Sequence, residues 1–435
     1  MSAVSRGIDR IEVTFDEPNL VANAGLLLVA TLVSRLGLEA LINATVRLSG
    51  RVGGALPGRK VLTLVHTLVA GGSHISHADI LRSGATGRVL GHRVMAPSTI
   101  GTFLRSFSHG HVRQLDKVLA ETLLRAWSFG LGPGSDTCVM DIDSTICVVC
   151  GKTKQGAGFG YTKKLCYHPI LATRATTGEV LHARMRRGQA NTQRGAVRFI
   201  EELVARVRRA GATGQLVMRF DSGFWSNASI SALERLDVGY TMGVRMVKSV
   251  KEAVFQIEES AWVPIGYTAD GEAQVAECSY NQRRLICRRT RLVGRQAQLW
   301  PDWRHFGFVT DLGGPAVEVD EFHRQHATVE LAIKDMKEGA GLEHVPSANF
   351  SANCAWLLCA VLAHDLIRWT AILGEMTDAN QLVVARTVRT CVFSFPGRLV
   401  SRSGRLTLRT PLYWPWARVI EKALACLRAL PPVPV

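Results

Sequence analysis

Apolar runs that end in a carboxylate are the clearest feature of the hydrophobic pattern. One run, Leu216 to Phe220, is followed directly by Asp221, and another, beginning at Cys138, carries Asp141 and Asp143 at its end. Such short apolar runs are typical of buried strands, on which side chains two residues apart share a face. In open α/β sheets, ligands bind beyond the carboxyl ends of the strands. The pattern therefore predicts two strands that carry acidic side chains to one edge of a sheet.

Further strands and a helix are predicted between these two runs. Leu165 to Thr173 and Glu179 to Met185 form apolar runs on either side of a turn at Thr176 to Gly178. A helix with one apolar face is expected from Asn191, which can cap it, to Arg209. The predicted order is three strands, a crossover helix and a fourth strand, so the fold class is α/β.

A third acidic residue lies on a predicted helix. The segment from His323 to Lys337 contains no helix breaker, and Glu330, Lys334 and Lys337 are spaced to share one face. Carboxylates on two strand ends and one helix can hold two divalent cations on oxygen ligands, as in-line phosphoryl transfer requires. The candidate catalytic and metal-binding triad is Asp143, Asp221 and Glu330, with Asp141 as the rival for the first position.

The first 130 residues are predicted to form a helical N-terminal domain, because apolar residues recur there at helical spacing. A helix opening at Pro97 is either the recognition helix of a helix-turn-helix or an ordinary bundle helix. The Gly- and Pro-rich segment 130–135 indicates the boundary with the catalytic core.

The predicted core is interrupted by a β-rich insertion. Residues 131–245 form its first part, 246–304 the insertion and 305–375 its second part with the Glu helix. The region 376–435 is basic and contains a predicted hairpin between Pro396 and Arg409. Its arginines either bind DNA phosphates or form a solvated basic face; they are Arg398, Arg402, Arg405 and Arg409.

Charge and composition narrow the class of partner. The chain has 435 residues, is 47% hydrophobic and carries a formal net charge of +16. Such a basic balance favours a polyanionic partner such as nucleic acid. The longest apolar runs are shorter than the roughly 18 to 20 residues of a spanning helix, and no secretory pattern opens the chain, so we expect a cytoplasmic protein without a membrane partner.

Ten cysteines are scattered without an even framework, which in a cytosolic chain indicates reduced thiols. Cys147 and Cys150, with Cys166 and His168 downstream, are either a zinc site or buried core residues.

The motifs around the three carboxylates resemble those of the DDE transposases of bacterial insertion sequences, members of the RNase H-like superfamily. The motifs are Asp143-Ser-Thr, Asp221-Ser-Gly-Phe, and Glu330 followed seven residues on by Lys337. The resemblance extends to Pro97–Leu104 and Ala352–Trp356, and so covers nearly the whole chain. It implies an RNase H-like core with a β-rich insertion, a helical N-terminal domain and a basic C-terminal region.

The resemblance also implies roles for individual residues. Asp143 is favoured over Asp141 because a Ser-Thr pair follows it, as in the family. The triad would bind two Mg²⁺ or Mn²⁺ ions. Residues on and before the Glu helix would contact DNA; His323 and His326 replace the family's Tyr and Arg, and the full set is His323, Arg324, His326, Lys334 and Lys337.

The expected partners are DNA, as terminal inverted repeats and target, and a second copy of the chain in the synaptic complex. The insertion resembles that of the subgroup that excises through DNA hairpins, where an aromatic residue stacks on a flipped base. The candidates, each of which can instead be a core residue, are Trp225, Trp262, Trp300 and Trp303. A nuclease of the same fold and an inactive DNA-binding regulator are the alternative functions. The resemblance places the protein in the bacterial cytoplasm, at the nucleoid when it acts.

Overall fold

The N-terminal part of the chain is helical, as predicted. The structure is a computed structural model that describes residues 11–160, 162–267, 271–292, 303–377 and 382–434. A short strand, β1 (Leu20–Val21), precedes the helices. These are α1 (Leu26–Arg35), α2 (Leu38–Thr45), α3 (Pro57–Val69), α4 (Ala78–Arg82), α5 (Thr86–Leu90), α6 (Pro97–Arg105) and α7 (His109–Ala126).

The predicted strand and helix order of the core is confirmed. The elements are β2 (Cys138–Ser144), β3 (Cys147–Val148), β4 (Gly158–Phe159), β5 (Leu165–Tyr167), β6 (Ile170–Arg174), β7 (Val180–Arg184), α8 (Ala196–Ala210) and β8 (Leu216–Phe220). The chain continues through α9 (Asn227–Arg235), β9 (Gly239–Val244), α10 (Lys248–Phe255), β10 (Val263–Ile265), β11 (Gly271–Tyr280), β12 (Arg283–Leu292) and β13 (Arg304–Thr310).

One large sheet carries most of these strands, in the order β10-β11-β12-β13-β9-β8-β2-β6-β7. Strand β8 pairs in parallel with both β2 and β9, and the other pairs are antiparallel. The strands of the predicted insertion therefore extend the same sheet beyond β13. The α/β fold class is confirmed, whereas the division of the chain into five domains stays a prediction.

Two predicted elements differ from the structure, one by a break and one by a later start. The single strand expected from Leu165 to Thr173 is two strands, because Pro169 lies between β5 and β6 and has no N–H for a ladder. Helix α8 starts five residues later than expected, since Asn191 Oδ1 accepts a bond from the Arg194 N–H (2.9 Å) and closes a turn instead.

The predicted helix from His323 to Lys337 is also divided. Helix α11 (Ala316–Arg324) ends before a 3₁₀ turn at Gln325–Ala327, and α12 (Thr328–Gly339) follows. Glu330 lies in the first turn of α12. The division places His326 between two helices rather than within one.

A long helix joins the two halves of the molecule. Helix α13 (Phe350–Leu373) packs against α3, α6 and α7 of the N-terminal part and against β7 and α12 of the core. Among the described residues it is long and apolar enough to cross a membrane, but 83% of its most apolar window is buried inside the protein. One hydrophobic cluster runs from Leu26 to Leu427, so the N-terminal helices share their core with the sheet.

The C-terminal region contains the predicted hairpin. After α14 (Ala385–Val388), strands β14 (Gly397–Arg402) and β15 (Arg405–Arg409) pair antiparallel, and α15 (Ala417–Ala429) follows. Strand β14 also pairs with β1, so that Leu20 lies opposite Arg398.

Candidate active site

The structure brings Asp143 and Asp221 to the same edge of the sheet. Ile142 on β2 lies opposite Phe220 on the parallel strand β8, and each aspartate is the next residue along. Asp221 also opens a 3₁₀ turn, since its Oδ1 accepts the Gly223 N–H at 3.0 Å. The strand register therefore positions the two carboxylates beside each other, where the sequence pattern placed them.

Glu330 joins them from α12, which packs on β2. Burial raises the pKa of Asp143 to about 6, and the negative charges of Asp221 and Glu330 act in the same direction. Desolvation also raises the pKa of Asp221, although its side chain is open to solvent. Each carboxylate affects the protonation of Asp143, so the three lie within one electrostatic neighbourhood.

The donor set suits a hard divalent cation. Three carboxylates supply oxygen ligands, and within the described ranges none of them forms an ion pair with Lys or Arg. Burial, with the charges of Asp221 and Glu330, raises the pKa of Asp143, which a bound cation would lower again. In the described part of the chain, no three His, Cys, Asp or Glu side chains are already drawn together as a metal cage.

Asp141 differs from Asp143 in its surroundings. It is fully buried, and its two oxygens accept bonds from Arg219 Nε (2.7 Å) and Nη2 (2.8 Å). His326 Nδ1 lies 2.8 Å from the same carboxylate. The carboxylate of Asp141 is therefore already occupied by side-chain partners. The carboxylate of Asp143 instead accepts the Ser144 N–H at 2.6 Å.

The residues around the 3₁₀ turn at Gln325–Ala327 contact other side chains of the protein. His323 Nδ1 lies 2.8 Å from Thr241 Oγ1, its ring stacks on Phe308 at 4.2 Å, and burial lowers its pKa to about 3. Arg324 Nε donates to Asp320 at 2.9 Å. His323 is thus a neutral packing residue, and Arg324 has a carboxylate partner.

The two lysines of α12 lie in different environments. Lys334 is exposed, and the described structure shows no ion pair between it and Glu330. Lys337 Nζ donates to the Ile146 carbonyl at 3.0 Å, close to the end of β2. Lys337 therefore holds α12 against the strand that carries Asp143.

The hairpin arginines point mainly to solvent. Arg398 pairs with Glu17 at 3.0 Å, but Arg402, Arg405 and Arg409 are exposed and form no ion pair among the described residues. They lie in the small sheet with β1, apart from the large sheet that carries the triad.

The four candidate tryptophans differ in their contacts. Trp262 is buried and lies under the Arg289 guanidinium (4.2 Å), which also lies 4.5 Å from the Trp303 ring. Trp225 is half-buried, with its ring 6.3 Å from that of Tyr280. Trp300 lies outside the described residues.

Two of the three cysteines, Cys147 and Cys166, have the features of core residues. Cys147 and Cys166 are buried, Cys150 is exposed, and no metal-holding group occurs in the described ranges. The His168 ring lies 2.8 Å from the Ala190 carbonyl through Nδ1 and 2.9 Å from Ser144 Oγ through Nε2. His168 therefore supports the residue next to Asp143.

Arg219 was not predicted from the sequence pattern. It occupies a buried position within an apolar strand, two residues before Asp221, just as Asp141 precedes Asp143. A charged residue in the middle of an apolar strand requires a buried partner, and this was the signal that could have revealed the pair.

Two acidic residues on adjacent parallel strand ends and a third on a helix are the arrangement expected of enzymes that use a DDE triad. The chain belongs to the family described as "Transposase DDE domain group 1", whose profile matches residues 5–432. It is also similar to a solved piggyBac transposase, in a synaptic complex with hairpin DNA, at 13% identity and a TM-score of 0.50. That similarity covers 85% of this chain and 79% of the other, and supports the fold. No curated protein sequence matches the chain.

Proposed function

We propose that the protein is the DNA transposase of an insertion sequence, which cuts the element's ends and joins them to target DNA. The adjacent strand ends that carry Asp143 and Asp221, together with Glu330 on the helix packed against β2, support this most strongly. Membership of the DDE transposase family supports the same class of reaction.

In this proposal the triad holds two Mg²⁺ or Mn²⁺ ions. When bound, such ions activate the attacking water or 3′-hydroxyl and stabilise the leaving oxygen of an in-line displacement. The three carboxylates contribute negative charge that the protein leaves without Lys or Arg partners. Lys337 keeps α12 on the end of β2, and thus keeps Glu330 near Asp143.

The C-terminal hairpin is the proposed contact for the DNA backbone. Leu406 of β15 lines a groove of about 720 Å³ together with Arg82, Arg88 and Arg93. Arg402 and Arg405 lie on the same hairpin as Leu406 and add to the positive charge of this region. Such a groove suits the phosphates of a duplex, which are bound without reading the sequence.

Two copies of the chain would hold the two ends of the element together, and the ends would pass through hairpins. The piggyBac structure is a synaptic complex with hairpin DNA, and its fold is similar to that of this chain.

A cleavage assay tests the proposal. Purified protein is incubated with labelled DNA from the flanks of its gene and Mg²⁺, beside Asp221→Asn and Glu330→Gln. Glu338→Gln is the matched control, because Glu338 is exposed on the same helix as Glu330, about two turns away. We expect metal-dependent cuts at the element's boundary with the wild type and with the control, and none with the two triad variants.

The alternatives give different outcomes in the same assay. Cleavage that is not followed by joining when target DNA is added to the reaction would indicate a nuclease of the same fold. Tight binding of the flank without cleavage, equal in all four proteins, would contradict the proposal and indicate a DNA-binding regulator.

A further inference from the structure

A cluster of three polar side chains, two buried and one partly buried, lies close to the candidate triad. Asp141 and Arg219 form a two-bond ion pair whose side chains are 0% and 2% exposed. His326 Nδ1 lies 2.8 Å from Asp141 Oδ1, and Arg219 Nη1 donates to the Phe322 carbonyl at 2.7 Å. We call Asp141, Arg219 and His326 the support cluster.

Each member of the cluster precedes one acidic residue of the triad by two or four positions along the chain. Asp141 precedes Asp143 by two residues on β2, and Arg219 on β8 precedes Asp221, which directly follows that strand, by the same interval. His326 precedes Glu330 by four residues, in the turn that starts α12. The cluster therefore joins all three elements that carry the triad.

The bonds of the cluster restrict movement between those elements. A bidentate pair between a guanidinium and a carboxylate fixes angle as well as distance. Its burial excludes water as a substitute partner, so the bonds cannot be exchanged for solvent contacts without cost. The Phe322 carbonyl adds a link to α11, with the guanidinium 5.0 Å from the Phe322 ring.

We propose that the support cluster positions Asp143, Asp221 and Glu330 for binding divalent cations. Asp141, Arg219 and His326 are positioning residues that never touch DNA or the ions. The proposal rests on the metal-dependent function proposed above. It assigns to Asp141 a function that accounts for a second aspartate so close to the first.

The hydrogen bonds define which atom of His326 matters. An ionised Asp141 only accepts hydrogen bonds, so the Nδ1 atom of His326 carries the proton in this contact. An asparagine amide can donate from about the Nδ1 position, whereas a glutamine amide extends to about the Nε2 position. His326→Asn should therefore keep the bond to Asp141, and His326→Gln should lose it.

The test measures metal binding directly. Mn²⁺ is titrated into the full-length protein, and free Mn²⁺ is followed by its electron paramagnetic resonance signal. The Mn²⁺ binding that is lost in Asp143→Asn is assigned to the triad. We expect Asp141→Asn and His326→Gln to weaken this binding by about 10- to 100-fold, as loss of a partner behind metal ligands does elsewhere. His326→Asn should stay close to the wild type.

Asp116→Asn is the matched control. Asp116 is a buried aspartate that pairs with Arg206 at 2.6 Å, between α7 and α8 and away from the triad. We expect it to lower the unfolding temperature as Asp141→Asn does, while leaving Mn²⁺ binding unchanged. A purely structural role for Asp141 would make the two variants alike in both measurements.

Several results would overturn the proposal. One is wild-type Mn²⁺ affinity in a folded Asp141→Asn protein, and another is equal affinity for His326→Gln and His326→Asn, which decides the matter if Asp141→Asn fails to fold. The lack of any Mn²⁺ site that depends on Asp143 would also do so. Mn²⁺ binding by the triad without DNA cleavage would instead refute the proposed function and leave the positioning role intact.

Discussion

The substitution Asp143→Asn should stabilise the protein in the absence of metal. Burial and the neighbouring negative charges raise the pKa of Asp143 from 3.8 to about 6. Because the folded state holds this proton more tightly than the unfolded chain, the contribution of Asp143 to stability falls as pH rises from about 4 to about 6. Above that range the ionised carboxylate costs about 3 kcal/mol at most, at 1.36 kcal/mol for each pKa unit.

The assay is chemical unfolding of the wild type and of Asp143→Asn, with a chelator, between pH 4 and 8. We expect the variant to gain about 1–3 kcal/mol at pH 7.5 and little near pH 4, where the wild-type carboxyl is protonated. Added Mg²⁺ should stabilise only the wild type, because ligand binding favours the folded state.

Asp116→Asn again serves as the control, because its expected change in the free energy of unfolding has the opposite sign to that of Asp143→Asn. Burial alone would raise the pKa of Asp116, but Arg206, His182 and Arg113 lower it overall. Its contribution to stability is therefore present above the unfolded pKa, so its removal should destabilise the protein at pH 7.5. Equal destabilisation of both variants at pH 7.5 would refute our account of the charge at Asp143.

Further predictions concern the hairpin, the packing and His323. Arg402→Ala and Arg405→Ala should each make the negative slope of log affinity against log salt shallower by about one, because each removes one phosphate contact. Fluorescence anisotropy with duplex DNA measures the slope, and unchanged slopes would exclude phosphate contacts. Gly25→Ala should destabilise the fold by about 1–3 kcal/mol or more, because its Cβ would lie 1.8 Å from the Val392 carbonyl oxygen. Gly266→Ala, whose new Cβ has no other atom of the described residues within 4 Å beyond its chain neighbours, should be neutral; thermal unfolding of the two variants measures both effects. His323→Gln should lower stability without changing the salt slope, and a smaller slope would show that His323 contacts DNA.

Local pattern was sufficient for the parts of the site that depend on single elements. The runs that end at Asp143 and Asp221 are strands, and Glu330 is on a helix, because each depends on hydrophobic periodicity within a few residues. The parallel pairing of β2 with β8 also agrees with the predicted strand and helix order, since a crossover helix leads to a parallel strand.

The contacts between residues far apart in sequence could not be predicted from the local hydrophobic pattern. The turn at His326 interrupts a segment without any helix breaker, and its bond to Asp141 joins residues far apart in the chain. His323 matched a DNA-contacting position by sequence, but its ring packs on Phe308. Which donor meets which acceptor depends on packing of distant elements, and hydrophobic periodicity contains no information about it.

The pairing of β1 with β14 has a consequence for how the chain acquires its structure. Leu20 cannot meet Arg398 until almost the entire polypeptide has left the ribosome. Contacts between residues so far apart in sequence slow folding, because a long loop must close before they form. A polypeptide truncated before residue 397 would lack the strand that pairs with β1. Strand β1 would remain an unpaired edge, of the kind that promotes aggregation and proteolysis.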